Sequence, residues 1–378
     1  MNHIIRKICL FLVCLAVLFL PACSSGADNR SRQNIQDTNN QNTNNQNTSN
    51  QDTNNTNNQE PDKQKLNGQE AAAADSENKK LVIGITIYRY DDNFMKLYRT
   101  ELKRYLEEKY GAEVMMRNAR GSQEEQEAQI RQFLEAGCDG IIVNLVDVSK
   151  AGKITDLCNN AGVPLVFINR EPDEEEQKRW EENEMQTACI STDSRQAGTY
   201  QGEMIAQLPD QGDRNRDGNI SYVMIMGERG NEDSLLRTEY AVQAMKASGK
   251  NIKKLFTSYG NWNKDQGKKI AAKALELHGD EIEVILCNND AMALGTLEAI
   301  EETGKTAGKD IYVVGVDALE EAVIAVGEGR MTGTVLNDHT GQSHSAADAL
   351  TAMISGEKAE VKYSVDYIKI TNISTDYQ

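Results

Sequence analysis

From residue 81 onward, short apolar runs alternate with longer stretches that mix apolar and charged residues. The apolar runs are rich in Val, Ile and Leu, which is typical of strands that are buried on both faces of a parallel sheet. The longer stretches repeat their apolar residues at helical spacing, as amphipathic helices do. The alternation therefore predicts repeated β–α–β units, and hence an α/β fold in which helices cover both faces of mostly parallel sheets.

The predicted strands share this apolar character and end where polar residues begin. They span residues 81–87, 112–117, 140–146, 164–169, 189–191, 220–226, 254–258, 284–287, 312–316 and 333–336, and helices are predicted near residues 93–110, 122–136 and 150–161. Ser122 with Glu125 resembles a capping box at the start of the second helix. Residues 172–184 are a charged run around Trp180, which predicts a solvated surface segment between two α/β units in series.

The first 80 residues have a different pattern. Residues 1–22 have a charged start followed by an apolar core that is too short for a comfortable membrane span, which indicates a secretory signal peptide. The sequence Leu20-Pro21-Ala22-Cys23 resembles the bacterial lipobox, which implies cleavage before Cys23 and a lipid on its thiol; the alternative is cleavage without a lipid. Residues 23–80 repeat Asn, Gln, Asp and Thr, and such a segment cannot bury enough apolar surface to fold, so a disordered tether is predicted.

Composition and charge narrow the function. The chain has 378 residues, enough for two domains, and its net charge of -17 argues against nucleic acid and against anionic lipid as partners. Its 7 cysteines show no zinc-site spacing, and those of the body lie in or near apolar runs, so buried thiols are expected rather than disulfides. A glycine-rich phosphate loop and a histidine-based catalytic motif are both missing from the sequence, so the prediction is a protein that is not an enzyme.

Polar residues follow the first strand where a ligand would bind. Ligands of open α/β sheets bind beyond the carboxyl ends of the strands, and Asp92 and Phe94 lie just there. A carboxylate accepts hydrogen bonds from hydroxyls and an aromatic face packs on C–H groups, a pairing that suits a sugar. The alternative is that Asp92 only caps the following helix and that Phe94 staples it.

The most specific motif is a calcium-type loop beginning at Asp213. Oxygen-bearing side chains stand at motif positions 1, 3, 5 and 9, a backbone carbonyl is available at position 7, and Gly218 stands at position 6, where the chain must turn sharply. The ligands would be Asp213, Asn215, Asp217, Asn219 and Ser221. Position 12, where a bidentate Glu is usual, is Met224, so a distant residue would have to complete the shell around a structural Ca²⁺. The alternative is a polar turn without metal.

With this loop, the body resembles the bacterial galactose/glucose-binding proteins of ABC importers over nearly all of residues 81–370. The strings that carry the resemblance are IGITIYRYDDNFM, VNLVDVSKAG, VPLVFIN, STDSRQAG, CNNDAMALG, GVDALEEA and GTVLND. The resemblance implies a two-lobed type I periplasmic-binding-protein fold with three hinge crossovers, near residues 163–169, 336–337 and 365–369. The first lobe would comprise residues 81–165 plus 338–365, and the second lobe, which carries the calcium loop, residues 166–337 plus 366–378.

The resemblance also implies the binding residues. Asp92 and Asn144 of the first lobe, Asp233, Arg237, Asn289 and Asp317 of the second, and Asn337 at a crossover would contact the sugar, while Phe94 and Trp262 would sandwich its ring. Glu283 would supply the missing carboxylate of the calcium shell. Two positions depart from the family: Ser221 is shorter than the usual amide, and Asn231 stands where His is common. Asn cannot titrate, so the sequence predicts an affinity that is nearly flat from about pH 5.5 to 8.

The expected ligand is D-galactose or D-glucose, bound in the cleft and passed to the permease subunits of an ABC importer. The lipid would hold the protein outside the cytoplasm at the cell membrane. A role as a sensor that relays to a chemoreceptor or sensor kinase is an alternative, as is another monosaccharide. A repressor of the same fold would need a basic DNA-binding head, and a sugar-modifying enzyme would need a general acid or a nucleophile at the bond that breaks.

Overall fold

The computed structural model describes residues 80–372. The predicted signal peptide, Cys23 and nearly all of the tether lie outside the described residues. The described part contains two six-stranded sheets, each of which forms the centre of one lobe.

The first lobe is built from nine alternating strands and helices plus a return near the C-terminus. Its elements are β1 (Val82–Ile87), α1 (Asn93–Tyr110), β2 (Glu113–Asn118), α2 (Gln123–Glu135), β3 (Gly140–Val143), α3 (Ala151–Asn160), β4 (Leu165–Ile168), α4 (Glu174–Glu182) and β5 (Thr187–Ser191), joined later by α10 (His339–Ile354) and β11 (Lys362–Ser364). The strand order is β11-β5-β4-β3-β1-β2, and all pairs are parallel.

The second lobe repeats this plan. Its elements are α5 (Ser194–Ala206), β6 (Asn219–Met226), α6 (Glu232–Lys246), β7 (Asn251–Tyr259), α7 (Lys264–His278), β8 (Val284–Cys287), α8 (Asp290–Glu302), β9 (Tyr312–Val314), α9 (Glu320–Gly327), β10 (Gly333–Leu336) and β12 (Ile368–Thr371). The strand order is β12-β10-β9-β8-β6-β7, and only the edge strand β12 runs antiparallel to its neighbour.

Each sheet is buried on both faces, as the apolar runs predicted. In β1, Ile83, Ile85 and Ile87 pack among residues of α1 and α10. On the opposite face, Gly84 lies against α2, because a Cβ atom there would come within 2.6 Å of Phe133. The mixed α/β fold with two mostly parallel sheets is therefore confirmed. The four cysteines of the described region are all buried and unpaired, also as expected.

The first crossover was placed too early in the sequence. Strands β4 and β5 pair with each other and with β3, so residues 166–191 belong to the first lobe and the chain leaves that lobe only after Ser191. The charged run, which was predicted to be a solvated segment, forms α4 within the first lobe. Trp180 of α4 is fully buried and stacks on Phe167 of β4, with ring centroids 5.4 Å apart. One apolar residue on its inner face is enough to dock this charged helix on the sheet.

The other two crossings lie at the ends of elements. Strand β10 ends at Leu336 in the second sheet, and α10 then packs on the first lobe against α1. Strand β11 ends at Ser364 in the first sheet, and β12 begins at Ile368 in the second. Three chain segments therefore connect the lobes. Within residues 80–372, none of the helices combines the length and the apolar character that a membrane span requires.

Candidate functional site: a polar cleft between the lobes

A small cavity of about 40 Å³ lies between the lobes, beyond the carboxyl ends of strands from both sheets. Its lining residues come from both lobes and from a crossing: Tyr88, Asp92, Phe94, Asn169, Arg170, Asn231, Asp233, Arg237, Trp262, Asn289, Asp317 and Asn337. The structure thus brings together every sugar-contacting residue predicted from the sequence except Asn144.

Asp92 is held at the cleft by two hydrogen bonds. Its Oδ1 accepts from the backbone N–H of Met95 at 2.8 Å, so the carboxylate caps α1. Its Oδ2 accepts from the hydroxyl of Tyr88 at 2.6 Å. The capping role and the binding role proposed for Asp92 are therefore compatible. A carboxylate has about four lone-pair sites, and a ligand hydroxyl has room to donate to those that remain.

The aromatic wall of the second lobe depends on a glycine. A Cβ atom at Gly227 would lie 2.2 Å from the ring of Trp262, so only glycine lets the indole lie over the end of β6. Trp262 itself has a φ of 63°, in the left-handed region, and its carbonyl accepts from Asn289 Nδ2 at 3.3 Å. On the first lobe Phe94 is almost fully buried and packs edge-on against Tyr98.

Arg237 is the buried cation of the cleft. Its Nη1 donates to the carbonyl of Asn288 at 2.8 Å and its Nη2 to the hydroxyl of Tyr367 at 3.0 Å. Its Nε is buried and has no hydrogen-bond partner within the described residues. Burial works against the charge, but Tyr367, Asp233 and Asp317 outweigh it and hold the pKa of Arg237 above its ordinary value. The guanidinium therefore remains a charged donor at every working pH.

Asp317 is the carboxylate opposite this cation. It has a φ of 114°, which an L residue rarely adopts, and such strain is concentrated at functional sites. Burial raises the pKa of Asp317 to about 7, although Arg237 acts in the opposite direction and Asp92 adds to the rise. The fully buried Asp290 supports the following turn by accepting from the backbone N–H of Leu319 at 2.9 Å. Burial also raises the pKa of Asp290 well above its ordinary value.

Three amides complete the polar wall. Asn231 and Asn289 cap α6 and α8 through their side-chain oxygens, which leaves the Nδ2 of Asn231 unused by any described residue. Asn337 accepts from Gln342 Nε2 at 2.7 Å and donates to Asp317 at 3.4 Å. The helices that start at the cleft thus bring both their caps and their N-terminal dipoles to it.

Asn144 does not line the cavity. It is fully buried beneath it, where its Nδ2 donates to the carbonyl of Ile168 at 3.2 Å and to Asn169 Oδ1 at 3.1 Å. Asn169, and not Asn144, lines the cavity. Tyr88, Asn169 and Arg170 were missed as lining residues, although each directly follows β1 or β4 and the strand-end rule that found Asp92 applies to them equally.

The calcium-type loop follows α5 and runs into the start of β6. Glu283 comes to it as expected: its two carboxylate oxygens accept from the backbone N–H groups of Asn215 at 3.0 Å and Ser221 at 2.8 Å. Burial raises the pKa of Glu283. Asp213 accepts from Gly218 N at 3.1 Å and from Lys250 Nζ at 2.6 Å through the same oxygen, Oδ2.

The loop carries oxygen atoms that suit Ca²⁺ as ligands. The Oδ1 of Asp213 is buried without a hydrogen-bond partner among the described residues, and Gly218 has the left-handed φ of 91° that a sharp turn needs. The ligand atoms on offer are hard oxygens, as Ca²⁺ prefers. Within residues 80–372 no three carboxylate, imidazole or thiolate side chains are close enough together to form a preformed metal site. Cation binding would therefore require the loop to tighten and Lys250 to withdraw.

A two-lobed α/β body with a polar cleft and three connecting segments is the architecture of a solute-binding protein. Comparison with known proteins supports this class. The D-galactose/methyl-galactoside binding periplasmic protein MglB of Haemophilus influenzae is 34% identical over 296 residues, which cover 77% of this chain and 86% of that protein. The ribose import binding protein RbsB of Escherichia coli is 23% identical, over 68% of this chain and 80% of that one.

Among solved structures, an ABC transporter solute binding protein from Bacillus halodurans with bound myo-inositol superposes with a TM-score of 0.66 at 29% identity, covering 77% of this chain and 94% of that one. Residues 83–358 match the periplasmic binding protein domain family. The chain belongs to this family. Its relatives are binding proteins of transport systems rather than enzymes.

Proposed function

We propose that the protein binds a monosaccharide, D-galactose or D-glucose, in the cleft and delivers it to an ABC importer. The observation that carries the proposal is the pairing of aromatic and charged walls: Phe94 and Trp262 offer apolar faces, while Asp92, Asp233 and Arg237 offer hydrogen-bonding groups around them. Pyranose hydroxyls both donate to carboxylates and accept from guanidinium and amide groups. The similarity to a galactose-binding relative favours galactose of the two.

Binding would favour the closed arrangement of the lobes, because a sugar that touches residues of both lobes stabilises the form in which they are close together. Calcium would serve as a structural ion at the second-lobe loop, held by the five loop residues beginning at Asp213 together with Glu283. It would supply positive charge that neutralises the buried carboxylates, and it would take no part in any reaction.

Calorimetric titration of the body with galactose, glucose, ribose, allose and myo-inositol tests the ligand. Galactose or glucose should bind most tightly, and Arg237→Met should weaken that binding by at least about tenfold, because it removes a charged donor from a buried site. Arg195→Met is the matched control, since Arg195 pairs with Asp193 on the exposed surface and does not line the cavity. Tighter binding of ribose or myo-inositol would rule out the hexose assignment.

We infer further that Cys23 carries a lipid anchor. Cys23→Ala should move the protein from the membrane fraction to the medium, and the released body should bind sugar with unchanged affinity, because the cleft residues all lie after residue 80. Retention of Cys23→Ala in the membrane fraction would contradict the anchor. A relay to a chemoreceptor or sensor kinase would use the same closed form, and deletion of the permease genes separates the two roles by abolishing uptake but not signalling.

A further inference from the structure

The hydroxyl of Tyr367 joins the hinge to the binding cleft. Tyr367 lies on the third crossing, between the end of β11 at Ser364 and the start of β12 at Ile368, and is only 3% exposed. Its ring was not among the predicted binding residues, and it does not line the cavity. Nevertheless its hydroxyl contacts a residue of the first crossing and a residue of the cleft.

Two donors share this hydroxyl. Thr192, on the first crossing between β5 and α5, donates to Tyr367 Oη through its own hydroxyl at 2.8 Å. Arg237 donates to the same oxygen through Nη2 at 3.0 Å. A phenol oxygen accepts two hydrogen bonds, so both of its acceptor sites are in use. The backbone N–H of Tyr367 donates to Gln196 Oε1 at 2.7 Å, which ties the crossing to α5.

A second cleft residue is held from the same place. Ser194, the first residue of α5, donates from its hydroxyl to Asp233 Oδ1 at 2.6 Å. The Ser194 hydroxyl also lies 3.5 Å from Tyr367 Oη. The network therefore connects the first and third crossings with Arg237 and Asp233 of the cleft. All of its polar contacts are buried or partly buried.

We propose that Tyr367 is a positioning residue that orients Arg237 for the sugar and couples its orientation to the hinge; this proposal rests on the sugar-binding function proposed above. Without the phenol oxygen, the bond to the carbonyl of Asn288 is the one hydrogen bond that Arg237 keeps among the described residues. Hinge closure changes the backbone angles of the crossings. Because Thr192 and Tyr367 sit on two crossings and share one oxygen with Arg237, a sugar that fixes Arg237 also favours one arrangement of the hinge.

Tyr367→Phe removes the oxygen and keeps the ring. We expect sugar affinity to fall by about tenfold, in line with the loss of one hydrogen bond to a charged group, with most of the change in the dissociation rate. Tyr363→Phe is the matched control: Tyr363 lies on β11, its hydroxyl accepts from the backbone N–H of Glu360, and it does not line the cleft. This control should bind like the wild type.

A merely structural role is separated by a double-mutant cycle with Arg237→Lys, measured by calorimetry together with melting temperatures. Positioning predicts strong non-additivity in sugar affinity, because Tyr367→Phe has little left to disturb once the guanidinium is gone. Thr192→Val, a second route to the same network, should reproduce part of the loss. Equal affinity of Tyr367→Phe and wild type, or a loss that is the same in the Arg237→Lys background, would overturn the proposal. Absence of sugar binding by the wild type would overturn both this proposal and the function on which it rests.

Discussion

At the scale of single residues, the most consequential finding is the environment of Asp317. The sequence drew attention to histidines, and with Asn231 in place of His it predicted an affinity that hardly changes with pH. That expectation left out a carboxyl group whose pKa burial raises to about 7. A hexose hydroxyl donates to the ionised carboxylate, so binding should favour the deprotonated form of Asp317.

We therefore expect sugar affinity to fall by about tenfold between pH 8 and pH 6, because one proton must leave Asp317 for each sugar bound. For folding alone the sign is opposite: a carboxyl group whose pKa is raised in the native state lowers stability as pH rises from about 4 through 7. Calorimetry at several pH values, in two buffers of different ionisation enthalpy, measures the proton release directly.

Asp317→Asn is the matched variant for this experiment, since it keeps the shape and removes the titration. It should bind more weakly than the wild type at pH 8 and show a flat profile. A wild-type profile that is itself flat between pH 6 and 8 would contradict the ionisation of Asp317 on binding and would restore the original expectation from Asn231.

The two tryptophans should respond differently to sugar. Trp262 lines the cavity, whereas Trp180 is fully buried against Phe167 in the first lobe. We expect galactose or glucose to change the emission of Trp262 alone, because only its surroundings exchange water for sugar. Trp262→Phe should abolish most of the change and Trp180→Phe should leave it intact. The reverse result would mean that the sugar does not bind at this wall.

Sequence reasoning found residues that follow strand ends and line the cavity. It failed for residues that are buried behind the cavity wall and contact those lining residues. Asp92 was found from its place just after β1, and Trp262 only because the resemblance to the family implies it. Asn144 was expected to contact the sugar. A fully buried amide must have partners for its N–H donors, and Asn144 donates to the carbonyl of Ile168 and to the side chain of Asn169 instead. Tyr367 lies too far along the chain for any local pattern to connect it with Arg237.

At the scale of elements, the predicted strands and helices all formed, whereas β11, β12 and the later helices were not predicted and the partition between the lobes was wrong. Helix α1 and strands β8 and β10 begin and end at the predicted residues. Helix α4 was missed because its buried face consists of little more than Trp180, so its charged residues hid the helical pattern. A single docking residue leaves almost no periodicity to detect.

The calcium-type loop gives an element-level prediction through Lys250. Its Nζ bonds to the buried Asp213 at 2.6 Å and so supplies the positive charge that the loop needs without metal. A bound Ca²⁺ would compete with this ammonium group for the same carboxylate. We therefore expect Lys250→Met to melt at a lower temperature in chelator, because Asp213 is left buried and unpaired, and to bind Ca²⁺ more tightly than the wild type.

Lys253→Met is the control, since Lys253 pairs with the exposed Glu281 beside the loop but not with Asp213. Melting curves in chelator and in a calcium series measure both effects. At calcium about 100 to 1,000 times its dissociation constant, linkage would stabilise the wild type by about 2.7–4.1 kcal/mol. Identical shifts in the two lysine variants would mean that Lys250 does not compete for the loop. Melting curves that ignore calcium in every variant would contradict the metal site itself.

At the scale of the whole molecule, two direct contacts bridge the lobes beside the cleft. Arg170, which follows β4, bonds through Nη2 to Glu228 Oε2 at 2.8 Å across the gap. Arg89, which follows β1, donates to the carbonyl of Asn261 at 3.2 Å. Both contacts require the lobes to be close together, so they stabilise the closed arrangement.

Arg170 is also part of the cleft wall. Its guanidinium lies 3.9 Å from the ring centre of Tyr88, whose hydroxyl donates to Asp92, and its Nη1 donates to the carbonyl of Val146 at 3.1 Å. The side chain is only 13% exposed, so its pairing with Glu228 is less screened than a surface ion pair. The closed form is therefore stabilised by a charge that is already fixed in place by the first lobe.

Glu228→Gln should consequently speed the release of sugar by roughly three- to tenfold, because it weakens one charge-assisted bond that exists only in the closed state, and it should leave the association rate nearly unchanged. Stopped-flow fluorescence from Trp262, recorded at low and high salt, measures both rates.

The control is Glu171→Gln, which weakens an ion pair with Lys362 that lies within the first lobe. The wild type should also release sugar faster at high salt, and Glu228→Gln should lose most of that salt dependence. A slower association in Glu228→Gln with unchanged release would instead place the Arg170–Glu228 contact on the path into the cleft. Equal effects of the two glutamate variants would show that the contact between the lobes contributes nothing to retention of the sugar.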